Sequence, residues 1–486
     1  MKDRKKYIIL YAASAVAIFL GVHFTQEYRF FNIESNDLFI YEWTHISALL
    51  RQAGGLATLL ASFLSQFMRL PFVGTLIVTF LYLLSAWLLG KILSKISGSA
   101  LSYGLAFLPA GFLFLCMEND YYRFQGHAAF ILVLAALTAY VSNSEQRVKF
   151  RHAAGVILIP VLYHLAGSIS LVFAVSAFFG EIAQRGYKGF YALIYPLILL
   201  LTAFIYVRLS LTSGWEHSLT PFMYYDWPST YFFPVYAWTS VPALILVAWL
   251  IGFMKKKSGQ PLWYAVAVFV LSFCISGYFY DIVHSRSYYR LLQEQHWAMK
   301  GEWDRIIETA DRRQPNYLIS YLNLALANKG HLVDRLGYYN PQPVSKVMFP
   351  TPNLKTGLTL QSTVYMAWNY YSAARQAAFD ADMVTSGMHN PHQLKVLVLT
   401  NLALGSPEVA EKYINILEKT LFYRGWAKDM RSRIPAYQPP VLPATDEYVR
   451  YNGLKGDMRD ILDADPSNRI LAQFYEAYSL LETLEE

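Results

Sequence analysis

Long apolar runs alternate with short polar loops through the first 280 residues, and the rhythm then changes. A bilayer-crossing helix needs about 17–25 mostly apolar residues. The runs Tyr7–Phe24, Phe72–Leu89, Ala100–Cys116, Ala128–Val141, Ala153–Tyr163, Ser168–Phe179, Ala192–Tyr206, Ala237–Met254 and Leu262–Tyr280 predict about nine spans. Those flanking His164-Leu-Ala-Gly-Ser168 are each short for a span, and a single kinked helix is the competing reading there. Leu56–Phe67 is too short to span comfortably and predicts a helix at the interface. The basic start, Met1 to Lys6, leads into a run without a clear small-residue cleavage site, which predicts a retained anchor.

From residue 281 the pattern becomes that of amphipathic helices. Arg286–Lys300 and Glu302–Arg312 meet at Gly301, and Asn316–Asn328 stops at Gly330. Further predicted helices are Gln361–Arg375 with Ala377–Gly387, Pro391–Leu404 with Pro407–Leu421, and Asn468–Leu484. Pro-containing stretches interrupt at Tyr339–Leu358 and Ile434–Ala444. The stretch from His296 to Asp311 resembles a tetratricopeptide repeat: an aromatic, a small residue, Gly at the turn, then Ala. The expected fold class is therefore all-α: a polytopic membrane domain over 1–280 and a soluble TPR-like α-solenoid over 281–486.

Composition agrees, with 55% hydrophobic and 15% charged residues where soluble domains average about 25% charged. The net charge of +7 is divided unevenly. Residues 1–280 hold 19 Lys and Arg against 11 Asp and Glu; residues 281–486 hold 22 against 23. The basic excess thus belongs to the apolar half and gives no reason to expect a nucleic-acid partner. With the N-terminus inside, the inner loops hold 14 basic and three acidic residues, the outer loops five basic and eight acidic. That alternation follows the positive-inside rule. An odd number of spans then puts 281–486 outside, in the periplasm if the membrane is a bacterial inner membrane. Cys116 and Cys274 both lie in apolar runs and form no metal-type or disulfide pattern.

The outer acidic residues cluster twice. Gln26-Glu-Tyr-Arg-Phe-Phe-Asn-Ile-Glu-Ser-Asn-Asp37 follows span one, and Glu118-Asn-Asp120 with Tyr121-Tyr-Arg123 follows span three. Two loops of this kind are expected to bring Glu27, Asp37, Glu118 and Asp120 together, an oxygen-rich set suited to Mg2+ or Mn2+. His127 and His164 lie near the same face and read as structural hydrogen-bonding groups, and the aromatic segment Pro221–Pro234 reads as an interfacial belt.

An acidic motif just after span one and an acidic-x-acidic motif at the junction of spans three and four resemble the GT-C superfamily, membrane glycosyltransferases that use lipid-phosphate-linked sugars. The resemblance covers roughly residues 7–145. The first loop offers Gln26-Glu27 where many members have an Asp-containing pair. It implies transfer of a sugar from a polyprenyl-phosphate-linked donor to an extracytoplasmic acceptor. Glu27 or Asp37 would act as general base or metal ligand, and Glu118 and Asp120 would bind metal or acceptor. Arg29, Arg123 and Arg208 would contact phosphate. The whole chain also resembles a bacterial family of uncharacterised polytopic proteins with a repeat-like C-terminal half. The alternative function is a non-catalytic envelope scaffold, anchored in membrane lipid, whose helical repeats bind a protein partner. A coupled transporter is disfavoured because charges are missing at mid-span.

Overall fold

The computed structural model describes residues 2–99, 101–142, 148–212, 214–226, 232–254, 262–315, 317–339, 354–385, 389–442 and 453–485. Glu145, Arg147 and the inner-loop run Lys255-Lys-Lys257 lie outside the described residues. The described chain is helical, with one isolated bridge between Tyr122 and Tyr225. It divides into two compact units, Met1–Ile33 with Glu42–His284, and Glu34–Tyr41 with Ser285–Glu486.

The first unit comprises α1 (Lys2–Ser35), whose last two residues count with the second unit, then α2 (Trp43–Leu50), α3 (Gly55–Ser65), α4 (Val73–Ser97), α5 (Leu101–Leu105), α6 (Phe107–Leu115), α7 (Gln125–Ser142), α8 (Val148–Ala166), α9 (Ser170–Arg185), α10 (Ile194–Arg208), α11 (Trp215–Leu219), α12 (Phe233–Met254) and α13 (Leu262–Val283). Among the described residues, five helical stretches are long and apolar enough to cross a membrane: Val73–Ser97, Gln125–Ser142, Ser170–Arg208, Phe233–Gly252 and Val266–Val283. These are compatible with membrane insertion. Ser102–Glu118 is a shorter apolar helix.

The stretch Ser170–Arg208 would be roughly 58 Å long if straight, about twice a bilayer core. A 3-10 segment at Gly186–Leu193 divides it, Gly186 taking a positive φ, and α9 and α10 pack against each other. The kinked-helix alternative at His164–Ser168 gives way to a break. Gly167 has φ +89°, and a Cβ there would stand 2.5 Å from Met223 Sδ, so only glycine fits. Helices approach closely because small residues sit at their contacts: Ala57, Ala86, Ala129, Ala174, Ala203 and Ala237 are all fully buried. The opposite face of α10 leaves Leu197, Leu201 and Phe204 exposed, as lipid contact would require.

The second unit comprises α14 (Arg286–Lys300), α15 (Trp303–Glu308), α16 (Ile319–Asn328), α17 (Leu332–Arg335), α18 (Leu354–Ala367), α19 (Tyr371–Met383), α20 (Pro391–Ala403), α21 (Pro407–Glu418), α22 (Arg424–Arg433), α23 (Leu454–Ala464) and α24 (Arg469–Glu485). Consecutive helices from α18 to α22 each pack on the next. Capping residues set the ends: Gly301 (φ +70°) closes α14, the Asn390 side chain accepts from His392 and Gln393 N–H ahead of α20, and Asn468 Oδ1 accepts from Leu471 N–H at 3.0 Å. The expected break at residue 376 lies instead at Trp368–Tyr370, because Asn369 adopts the left-handed turn (φ +57°). Within α14, Glu294 is fully buried, and burial pushes its carboxyl up to about 8 against the opposing pull of Arg290.

Segment Glu34–Tyr41, expected to be an outer membrane loop, belongs to this second unit. Leu38 and Ile40 are buried beside Leu397, Ile414 and Ala427. Tyr41 N–H donates to Lys419 O at 2.7 Å, and the Tyr423 hydroxyl donates to Glu34 Oε1 at 2.6 Å.

Candidate functional site

The last turns of α1 place Gln26 and Arg29, three residues apart, on one buried face, while Glu27 between them is exposed. After α6 the apolar run ends in a 3-10 turn, Cys116–Glu118. Asn119 Oδ1 then accepts the Tyr121 N–H at 2.9 Å, holding the following turn. Glu118 and Asp120 both reach Arg29. Nη2 lies 2.9 Å from Glu118 Oε2 and Nη1 3.4 Å from Asp120 Oδ1, and Nη1 also donates to Met117 O at 3.3 Å. Gln26 Nε2 donates to the other Glu118 oxygen at 2.5 Å.

A third element completes the cluster. His284, one residue past α13, brings Nδ1 to 3.0 Å from Glu118 Oε2 and 2.8 Å from the Tyr280 hydroxyl. Its ring stacks on Tyr280 at 4.7 Å between centroids. Side-chain exposure is 3% for Arg29, 3% for Glu118 and 7% for Asp120, so these charges hold one another out of water. Glu118 lies two residues past the predicted span. Burial would raise its carboxyl, but Arg29, His284 and Gln26 together hold it below the usual carboxylate range.

Beside the cluster, α1, α4, α6 and α13 wall an apolar cavity of about 140 Å³ whose lining includes Gly21, Gly111, Gly277 and Tyr280. A Cβ at Gly21 or Gly277 would meet nothing within 4 Å, so these glycines leave the groove open. Tyr280 therefore belongs to both the apolar groove and the polar cluster.

The family model that matches, described as "Family of unknown function (DUF6057)", covers residues 4–483. The chain belongs to this family. No curated protein and no solved structure matches it.

Of the residues expected to meet, Glu118 and Asp120 do so, around Arg29. Glu27 lies on the exposed side of α1, and Asp37 lies in the second unit. Among the described residues, no three His, Cys, Asp or Glu side chains group as a metal site. A divalent ion between Glu118 and Asp120 would lie against the guanidinium, so this pair fits Mg2+ or Mn2+ only with Arg29 displaced.

Arg123 is engaged elsewhere. Its Nη2 donates to Met223 O at 2.9 Å, its Nε lies 3.8 Å from Asp226 Oδ1, and its backbone N–H donates to Tyr224 O. It thereby latches the 219–226 segment to the 118–123 loop. Arg208 is exposed at the end of α10, over the Phe204 ring at 5.2 Å. His127 is buried against Tyr122 and Phe124, and His164 Nδ1 lies 2.9 Å from the Tyr206 hydroxyl, both structural contacts. The aromatic segment packs inward in part: Tyr224 is buried and donates to Ala166 O at 2.6 Å.

The sequence reading missed Gln26, Tyr280 and His284 as members of the cluster. A Tyr-x-x-x-His pair closing the last apolar run was the available signal, since residues four apart share a helix face. Nothing near His284 in the chain points to Glu118, 166 positions earlier.

Proposed function

We propose that the chain is a GT-C-like glycosyltransferase of a bacterial inner membrane, with its N-terminus cytoplasmic and a TPR-like solenoid in the periplasm. It moves a sugar from a polyprenyl-phosphate-linked donor to an acceptor outside the membrane. The observation that carries this reading is the meeting of polar residues from the last turns of α1, the turn after α6 and the end of α13 beside an apolar groove that shares Tyr280 with them. An amphiphile needs that pairing of surfaces: an open groove for its chain and a buried polar cluster for its head.

In the proposed reaction an acceptor hydroxyl attacks the sugar C1. The C1–O bond to phosphate breaks, the bonding pair leaves with polyprenyl phosphate, and the hydroxyl proton passes to a carboxylate of the 118–120 loop. Arg29 is the cation nearest that loop and supplies countercharge for the departing phosphate. Mg2+ or Mn2+ would add countercharge if Arg29 swung away. Glu27 and Asp37 have no part in the step as proposed.

The test is substitution of Arg29, Glu118 and Asp120 by Gln, Gln and Asn, with envelope glycans profiled. Loss of one glycan at normal protein level is expected, by a factor of about 100 or more. Unchanged glycans in all three variants would favour the second reading, a scaffold with partner-binding repeats. The mutual saturation of Arg29, Glu118 and Asp120 is the observation on that side.

A further inference from the structure

A second apolar cavity, about 380 Å³, lies between α9, α12 and the 219–225 segment, lined by Val172, Val175, Phe222, Tyr225, Trp238 and Thr239 among others. Its size is that of a ligand site rather than a packing fault. Its lining holds no charged side chain. The two threonine hydroxyls on it are spent locally, Thr239 on Val235 O and Thr220 on Glu216 O. The Tyr225 hydroxyl and the Trp238 indole N–H are the other side-chain polar groups on the lining. Two of its walls are helices apolar enough to cross a membrane, and its rim residues Phe232 and Val235 are exposed. These observations select a hydrocarbon chain entering from the bilayer.

The polar end of such a molecule has a defined place. Tyr225 is 5% exposed and lines the cavity, and its hydroxyl has no hydrogen-bond partner among the described residues beyond the nearby Cys116 thiol. Tyr225 bridges to Tyr122, and Arg123 and Asp226 pair immediately beyond it. The 118–123 loop therefore connects the two cavities. Its first residues join the polar cluster beside the Tyr280 groove, and its last residues join the rim of the larger cavity.

We propose that the larger cavity takes the chain of a second membrane lipid, and that this lipid is the acceptor, its hydroxylated head meeting the donor sugar along residues 118–123. The proposal rests on the transferase reading above and narrows its acceptor to a lipid. The bonds are those already given: the lipid hydroxyl oxygen gains C1, the phosphate oxygen loses it, and the proton goes to the loop carboxylate.

The test uses the full-length protein in nanodiscs with a diazirine-bearing long-chain fatty alcohol as photoprobe, mapping labelled peptides. Label is expected in 171–175 and 235–242, and separately in 18–25 and 273–280. Val175→Phe or Thr239→Trp should reduce the first label about tenfold and leave the second. Gly277→Leu, placed where a side chain meets open space, should do the reverse. Each retained label reports that the variant has folded. Absence of label in 171–175 and 235–242, or label there insensitive to both substitutions, overturns the chain site. Label that behaves as expected, with unaltered glycolipids in lipid extracts of Thr239→Trp cells, overturns the acceptor assignment. If the Glu118→Gln glycan profile is also unaltered, the transferase reading fails with it.

Discussion

Arg29 stands between Glu118 and Asp120 where almost no water reaches. Taking away one partner of a buried pair costs about 3–5 kcal/mol, because the group left behind stays charged and desolvated. Arg29→Leu leaves two carboxylates facing each other, so it should destabilise more than Glu118→Gln, which leaves Arg29 with Asp120. The double variant Arg29→Leu/Glu118→Gln should recover part of the loss, with a coupling of about 0.5–3 kcal/mol. Thermal unfolding of the four proteins in detergent measures it; strictly additive losses would show that the pair contributes no coupling. Glu118, Asp120 and Arg29 could be read from the sequence because charges flanking apolar runs are few. Gln26 is uncharged, and although Tyr280 and His284 share a helix face, they meet Glu118 only through tertiary packing, to which nothing near them in the chain points. Glu27 and Asp37 lie apart from this cluster because proximity along the chain says nothing of the helix face or of the unit to which a residue belongs.

At the level of elements, the segment Glu34–Tyr41 continues directly from α1 and is built into the second unit through Leu38, Ile40, the Tyr41 amide and Glu34. Leu38 and Ile40 are 4% and 5% exposed. Truncating either to Ala should destabilise that unit by about 2–5 kcal/mol. Tyr423→Phe, which leaves Glu34 Oε1 without this donor, should cost about 1–3 kcal/mol. Limited proteolysis followed by peptide mapping should show cuts in α20–α22 appearing earlier in all three variants; unchanged cleavage there would mean the segment is only a passive connection. Helix type and most boundaries in this unit followed from apolar periodicity and from Pro and Gly signals, as for Arg286–Lys300 and Pro391–Ala403. Three helices, Arg424–Arg433, Leu454–Ala464 and the four-residue Leu332–Arg335, were not anticipated. The first is strongly polar, with mostly basic and acidic side chains around two buried positions, Ala427 and Met430, too few to set an apolar period. That the strap at 34–41 joins a partner almost 400 residues away cannot be inferred from either sequence alone, since each half shows only an ordinary amphipathic edge.

For the whole molecule, the five apolar helical stretches are fewer than the nine predicted runs because the two descriptions count different things. One stretch, Ser170–Arg208, holds two of the predicted runs on either side of Gly186, the run at Ala100–Cys116 falls largely in the shorter apolar helix Ser102–Glu118, and Tyr7–Phe24 and Ala153–Tyr163 fall in α1 and the 19-residue α8, which are not among the five. Hydropathy measures length and composition, whereas crossing also depends on where a helix breaks and turns. The charge pattern gives an independent prediction. The basic residues assigned to inner loops include Arg151 and Arg185, both held by Glu181, and Lys95, whose Nζ donates to Ser142 O at 2.7 Å. Two arginines on one carboxylate leave that cluster net positive, which favours retention on the cytoplasmic face. An alkaline phosphatase fused after Glu486 should therefore be active and a fluorescent protein that matures only in the cytoplasm should stay dark. Moving the charge should weaken this outcome: with Arg185 and Lys188 replaced by Gln, a mixed reporter signal is expected. A cytoplasmic reporter that lights up on the unaltered chain would reverse the topology, put residues 118–123 on the cytoplasmic side, and remove the extracytoplasmic acceptor from the proposed reaction.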